Sequence, residues 1–177
     1  MREKAEIMDS KAMTRALTRM CYEIIERNHG LERLVFVGVL RRGAVLAERM
    51  AALIAANEGA SVPTGRLDIA RFRDDRPHDQ PAKDRTDIAF SVENARVILV
   101  DDVLYTGRTA RAALDALLRL GRPQSVQLAV LVDRGHRELP IRPDYVGKNL
   151  PTSSSEVVRV QVEEYDGDSR VAIEEVL

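Results

Sequence analysis

Two adjacent carboxylates, Asp101 and Asp102, directly follow an apolar run, Val97-Ile98-Leu99-Val100. A run of that kind is a strand buried on both faces. The acids therefore stand at its carboxyl end, where ligands of open α/β sheets bind. Paired carboxylates there can accept hydrogen bonds from vicinal hydroxyls, and can hold a magnesium ion through water. The turn Tyr105-Thr106-Gly107-Arg108-Thr109 comes next and opens into an Ala/Leu-rich helix. Backbone N–H groups and threonine hydroxyls at a helix N-terminus make an anion site suited to a phosphate monoester. A second candidate, Gly38-Val39-Leu40-Arg41-Arg42-Gly43, follows the apolar run Leu34-Val35-Phe36-Val37. Glycines flanking two arginines suit a polyanion, with Arg42, beside Gly43, favoured as its direct ligand.

These groups need a scaffold, and the hydrophobic pattern supplies one. Asp9 or Ser10 can cap a first helix with Met13, Leu17, Met20 and Ile24 on its inner face, ending at Asn28-His29-Gly30. A second helix turns Leu46, Met50, Leu53 and Ile54 inward and ends between Asn57 and Gly59. A strand is expected from about Arg66 to Phe72. The stretch from Arg73 to Thr86 holds two prolines and many charges, and reads as a mobile surface loop of the lid or binding type. The helix after Thr109 stops at Gly121, with Pro123 beyond. Val126 to Val132 is a buried strand, Asp133 to Pro143 an arginine-dense loop, and Tyr145-Val146-Gly147 a short strand. Val157 to Val162 and Val171 to Val176 read as a last hairpin turning at Asp166-Gly167-Asp168. Strands alternating with helices predict an α/β fold: a mainly parallel central sheet flanked by helices, with the terminal hairpin as an antiparallel edge.

Composition narrows the function. The 177 residues fit one domain, and 45% hydrophobic with 31% charged residues is an ordinary globular balance. Net charge is -1, so any contact with nucleic acid needs a local basic patch. Two clusters qualify. One is the helical stripe Lys11, Arg15, Arg19, with Thr18, Tyr22 and Arg27 nearby; the other is Arg134, Arg137, Arg142 and Lys148. The lone Cys21 excludes an intrachain disulfide and a multi-cysteine zinc site, and is expected in the core. No stretch has the length and apolarity of a signal peptide or a membrane span. A soluble protein of the reducing cytoplasm is expected.

The ordered string VILVDDVLYTGRT resembles the phosphoribosyl-pyrophosphate (PRPP) signature of the type I phosphoribosyltransferases. The resemblance implies that fold, with a small hood at about residues 133–148 and one domain over 1–177. It also implies roles. Asp101 and Asp102 would bind the ribose hydroxyls, and Mg2+ indirectly, through ribose or water. The turn from Tyr105 through Thr106, Gly107 and Arg108 to Thr109 would cradle the 5′-phosphate. Arg41 and Arg42 would take the pyrophosphate, making Asp101, Asp102 and Arg42 the catalytic set. Residues 73–86 would close over the bound sugar.

Within that family the likeness tightens to the bifunctional pyrimidine-operon regulators. It is carried by ALTRM-x-x-EIIERN, LDIARFRDD, DDVLYTGRTARAALDAL and GRPQSVQLAVLVDRGHRELPIRPDYVGKNLPTSSSE, which together span nearly the whole chain. It implies conversion of uracil and PRPP to UMP and diphosphate. It also implies UMP-dependent binding to a stem-loop in pyrimidine-operon mRNA, attenuating transcription. Asp133, Arg134, His136 and Ile141 would serve uracil. Thr18, Arg19, Arg27, Arg137, Arg142 and Lys148 would serve RNA, on a homodimer or higher homo-oligomer. Tyr22 stands where a histidine is common in these regulators, and tyrosine can stack on a splayed base. Two other readings share the signature: a plain salvage phosphoribosyltransferase without RNA regulation, and a regulator that keeps the pocket only as a sensor.

Overall fold

The computed structural model describes residues 1–75 and 83–175. Its central sheet has five strands in the order β3-β2-β4-β5-β6, all parallel. These are β2 (Leu34–Val39), β3 (Thr64–Leu67), β4 (Arg96–Leu104), β5 (Ser125–Asp133) and β6 (Tyr145–Asn149). Side chains alternate across a strand, and here that alternation builds two cores. Phe36, Ile98, Val100, Ala129 and Leu131 face helices α1 (Ser10–Arg27) and α2 (Arg42–Glu58). Val35, Val37, Val97, Leu99 and Val130 face the opposite way, toward Ala112, Ala113 and Leu117 of α3 (Arg108–Leu118).

The helix ends follow their sequence signals. Asp9 caps α1 by accepting the Ala12 N–H at 2.7 Å, and Gly59 ends α2 in the left-handed region at φ +66°. Cys21 is buried in the core, where its thiol points at the Met50 carbonyl and burial pushes its pKa up to about 12.

Four expectations change. The strand expected over 66–72 stops at Leu67. Buried Asp68 accepts the Ala70 N–H at 3.0 Å and turns the chain into a 3-10 helix over Ala70–Phe72. Asp101 and Asp102 do not follow β4 but lie within it, because the ladder to β5 continues to Leu104, opposite Asp133. The terminal hairpin is not an edge of the central sheet. Strands β7 (Glu156–Gln161) and β8 (Arg170–Glu175) pair with each other, and β8 pairs also with β1 (Arg2–Met8), giving a separate antiparallel sheet β1-β8-β7. A short helix, α4 (Glu163–Asp166), replaces the expected tight turn. The strand β1 had no sequence signal, since most of it is exposed. It is held by its backbone ladder and by pairs such as Arg170–Glu3 at 2.9 Å. Residues 76–82 of the expected lid, and the last residue of the expected final strand, lie outside the described residues.

A buried polar knot joins α1 to the sheet. The Asn28 side chain donates to the Ile24 carbonyl and to Gln127, and Gln127 donates back to Asn28 Oδ1 at 3.0 Å. The Tyr145 hydroxyl donates to the same Gln127 oxygen at 2.5 Å. Tyr145→Phe should cost about 1–3 kcal/mol, because it removes the bond to Gln127 and the bond from Asn28 while those two keep each other satisfied. Urea unfolding of the two proteins checks the figure.

Candidate active site

The site forms at the carboxyl end of β4, and glycines let its parts meet. A Cβ on Gly43 would stand 2.5 Å from the Val100 carbonyl oxygen and 3.3 Å from Asp101 Oδ1. A Cβ on Gly38 would stand 2.4 Å from the Ala44 Cα. Both distances are backbone clashes, so only glycine lets the 38–43 loop fold back over β2 and lie against the aspartates. The Leu40–Arg41 peptide within this loop is cis.

Asp101 is buried, and its Oδ1 accepts the Asp102 N–H at 2.9 Å. Burial, reinforced by the neighbouring charge of Asp102, holds the Asp101 carboxyl well above the ordinary carboxylate range. Asp102 is partly exposed and accepts the Val103 N–H at 2.8 Å. The turn after β4 leads into α3 through Gly107, at φ +94°. Thr109 lies in the first turn of α3, partly buried.

The hood, from Asp133 to Ile141, is stitched to that turn. Glu138 and Leu139 donate their N–H groups to the Thr106 carbonyl at 2.9 and 3.1 Å, and the Arg134 N–H donates to Leu104. Arg137 completes the join. It donates to the Ile141 carbonyl, the Tyr105 carbonyl and the Asp133 carboxylate at 2.8, 2.8 and 2.6 Å. Arg134 is buried beneath the Tyr105 ring, 4.0 Å from its centroid, and donates to the Glu156 carbonyl and to Thr152. The His136 ring meets the Thr152 carbonyl at 2.5 Å. Asp133, Arg134, His136, Asn149, Pro151 and Thr152 line a concavity of about 400 Å³.

The structure thus brings together Asp101, Asp102, the 38–43 loop, the 105–109 turn and the hood. It also redistributes the charged residues. Arg42 makes a two-pronged pair with Asp166, at 3.1 and 2.7 Å, while Arg41 is exposed and has no side-chain partner among the described residues. Arg108 is bound to Glu138 and Asp74 at 2.6 and 2.7 Å, on the rim rather than in the turn. Arg137 faces the hood and not the outer surface. Asp166 and Thr152 were not legible as site residues; Asp166 stands 124 positions from Arg42, and no local motif announces the pairing.

The description "Phosphoribosyl transferase domain" matches residues 3–166. A Bifunctional protein PyrR of Limosilactobacillus fermentum is 59% identical over 96% of this chain and 97% of its own. The chain belongs to the phosphoribosyltransferase family, in its PyrR branch. Other PyrR relatives, from Pelotomaculum thermopropionicum and Clostridioides difficile, are 59% and 55% identical, over 97% and 98% of this chain and 96% and 99% of theirs. Among solved structures, the hypoxanthine phosphoribosyltransferase of Trypanosoma cruzi shares the fold. Its TM-score is 0.73, at 17% identity over 98% of this chain and 97% of that one. A hypoxanthine-guanine phosphoribosyltransferase of Bacillus anthracis gives 0.72 at 18% identity over the full length of both. The type I phosphoribosyltransferase fold and the PyrR likeness expected from sequence both hold.

The raised pKa of Asp101 has a sign in stability. The folded state binds its proton more tightly than the unfolded chain does. The destabilisation is therefore absent below the ordinary carboxylate range and grows as pH rises to the folded pKa. Asp101→Asn keeps the acceptor for the Asp102 N–H without the buried charge. Urea midpoints should show this variant more stable than the parent at pH 7.5, with the gap closing towards pH 4.

Proposed function

We propose that this chain transfers the phosphoribosyl group of PRPP to uracil, giving UMP and diphosphate. We infer also that it binds the leader mRNA of a pyrimidine operon in a UMP-dependent manner, as a cytoplasmic homo-oligomer. One observation carries the transferase reading: the acid pair, a glycine-gated loop after β2, an anion turn and a hood all converge on the carboxyl end of β4. The PyrR relatives bear the word bifunctional in their name.

In this reading Asp101 and Asp102 hold the ribose hydroxyls. The N–H groups at the start of α3 and the Thr106 and Thr109 hydroxyls take the 5′-phosphate. Arg41, the cation of the 38–43 loop without a side-chain partner among the described residues, faces the diphosphate. Uracil sits in the concavity beside Asp133 and His136. As the N–C bond to the anomeric carbon forms, uracil loses its N1 proton and diphosphate leaves with the electron pair of the broken C–O bond. The protein's contribution is placement and field, with no covalent nucleophile. Among the described residues no three acidic, histidine or cysteine side chains cluster as a metal cage. An acid pair with one partly exposed member suits an ion held chiefly by substrate oxygens and water. Asp101 and Asp102 are the residues that would hold Mg2+ there, and the ion would supply positive charge to the leaving diphosphate.

The RNA reading rests on α1 and the edge strand β6. Arg19 donates to the Val146 and Gly147 carbonyls at 3.1 and 2.6 Å, and Arg27 pairs with Asp144 at 2.9 Å. These contacts seat the α1 arginines beside β6, where Lys148 and nearby Arg142 are exposed and without side-chain partners among the described residues. Tyr22 is 52% exposed on α1. Thr18 is turned inward on its own helix, donating to the Thr14 carbonyl. Arg137, engaged in the hood, contributes to this face least.

Asp102→Asn should lower kcat for UMP formation at least about a hundredfold with an unchanged melting temperature; near-normal turnover rejects the assignment. Lys148→Ala should weaken leader-RNA binding and reduce the salt slope of log K by about one. Binding to the organism's own leader RNA that UMP does not strengthen would leave a salvage enzyme alone.

A further inference from the structure

The Arg42–Asp166 pair joins two parts of the molecule that the sequence keeps apart. Arg42 opens α2 and directly precedes Gly43, the residue packed against the β4 backbone at Asp101. Asp166 closes α4, in the connection between β7 and β8 of the second sheet. Both carboxylate oxygens are used. Oδ1 accepts from the Arg42 guanidinium at 2.7 Å, and Oδ2 accepts from Arg42 Nε at 3.1 Å and from the Val162 N–H at 2.9 Å. The side chains are 33% and 16% exposed, so water screens the pair only in part. A fork-on-fork pair fixes direction as well as distance. The hydrogen bond to Asp166 raises the Arg42 pKa most, and the charges of Asp166 and Asp102 add to it.

We propose that Asp166 is a positioning residue for the diphosphate end of PRPP. By gripping Arg42 it sets the path of the 38–43 loop, and so presents Arg41 and the loop N–H groups to the diphosphate. This rests on the transferase reading above. The neighbouring pair Arg49–Glu164, at 2.6 Å, also ties α2 to α4 but lies two turns further along the helix, away from the loop. It serves as the control for general docking of α2.

The test measures PRPP binding by calorimetry on the full chain, together with steady-state kinetics of UMP formation. Asp166→Asn keeps an acceptor for the Val162 N–H but removes the charge. It should raise the PRPP Kd and KM about five- to tenfold, leaving the KM for uracil and kcat at saturating PRPP near parental values. Asp166→Glu, with its charge one methylene further out, should give a smaller rise of the same kind, and carries the test if Asp166→Asn does not fold. Glu164→Gln should leave both constants unchanged. Unaltered PRPP affinity in the Asp166 variants overturns the proposal, as does an equal rise in Glu164→Gln. A fall in Kd also overturns it, because Asp166 would then be competing with diphosphate for Arg42. A parent chain that binds PRPP but makes no UMP would reject the transferase reading while leaving the Asp166 effect on binding intact; one that binds no PRPP rejects both.

Discussion

The site depends on a contact between two stretches of backbone. Gly43 lies against the carbonyl of Val100 and the Cα of Asp101, with no room for a Cβ, and Gly38 allows the reversal that brings it there. Side-chain contacts at this distance could relax by changing rotamer; backbone contacts cannot. The loop that follows β2 is therefore located relative to the acids by the sheet itself. Its cost falls on Asp101, which the same contact helps to bury. The carboxyl has lost water and stands beside a second acid, so it holds its proton more tightly than an exposed aspartate. A residue conserving such a penalty in a core would be hard to explain on stability alone. At the end of a parallel strand, facing an anion turn, it is the expected expense of a pre-formed site.

What was legible in the sequence shared one property: it lay within a short run. The strand, the acid pair and the 105–109 turn are contiguous from Val97 to Thr109, so spacing put them in one place, although the strand runs on through the acids to Leu104. The parallel strands were legible because both of their faces are buried, which leaves unbroken apolar runs. The strand β1 has one inward end and an exposed remainder, and its charges face partners more than 150 positions away, such as Lys4 with Glu156. Neither periodicity nor composition marks such a strand. The 66–72 stretch failed for a related reason. Its alternation was imperfect, and the side chain of Asp68 bonds locally to the chain it turns.

The arginines show where sequence reasoning ends. Composition counts them, and a family pattern assigns them roles, but a guanidinium has five donors and the fold decides who receives them. Arg42, Arg134 and Arg137 all stand in motifs that suggested ligands, and all three direct their donors to protein acceptors. Arg137 binds three acceptors at once, two at the ends of the hood and one in the turn. That makes it a tie between the hood and the 105–109 turn, so the two segments share one frame. Arg41, beside Arg42 in the chain, is the one left facing solvent. Equal residue types in adjacent positions thus differ in surroundings, one engaged by Asp166 and the other exposed.

The strand β6 carries the argument from the pocket to the outer surface. Lys148 is exposed beside the α1 arginines, and the next residue, Asn149, lines the concavity under the hood. The carbonyl of Gly147, one residue before Lys148, makes the shorter of the two β6 carbonyl contacts of Arg19. Three consecutive residues therefore meet an α1 arginine, the solvent and the concavity in turn. Gly147 also has no space for a side chain, since a Cβ there would stand 2.5 Å from the Leu131 carbonyl oxygen of β5. The strand is thereby held close to the sheet, and a displacement at Asn149 cannot be absorbed by slack at Gly147. Under the proposed regulatory reading, the concavity and the RNA face adjoin along two residues of an edge strand. No second domain and no long path through the core is required for the two activities to sense one another.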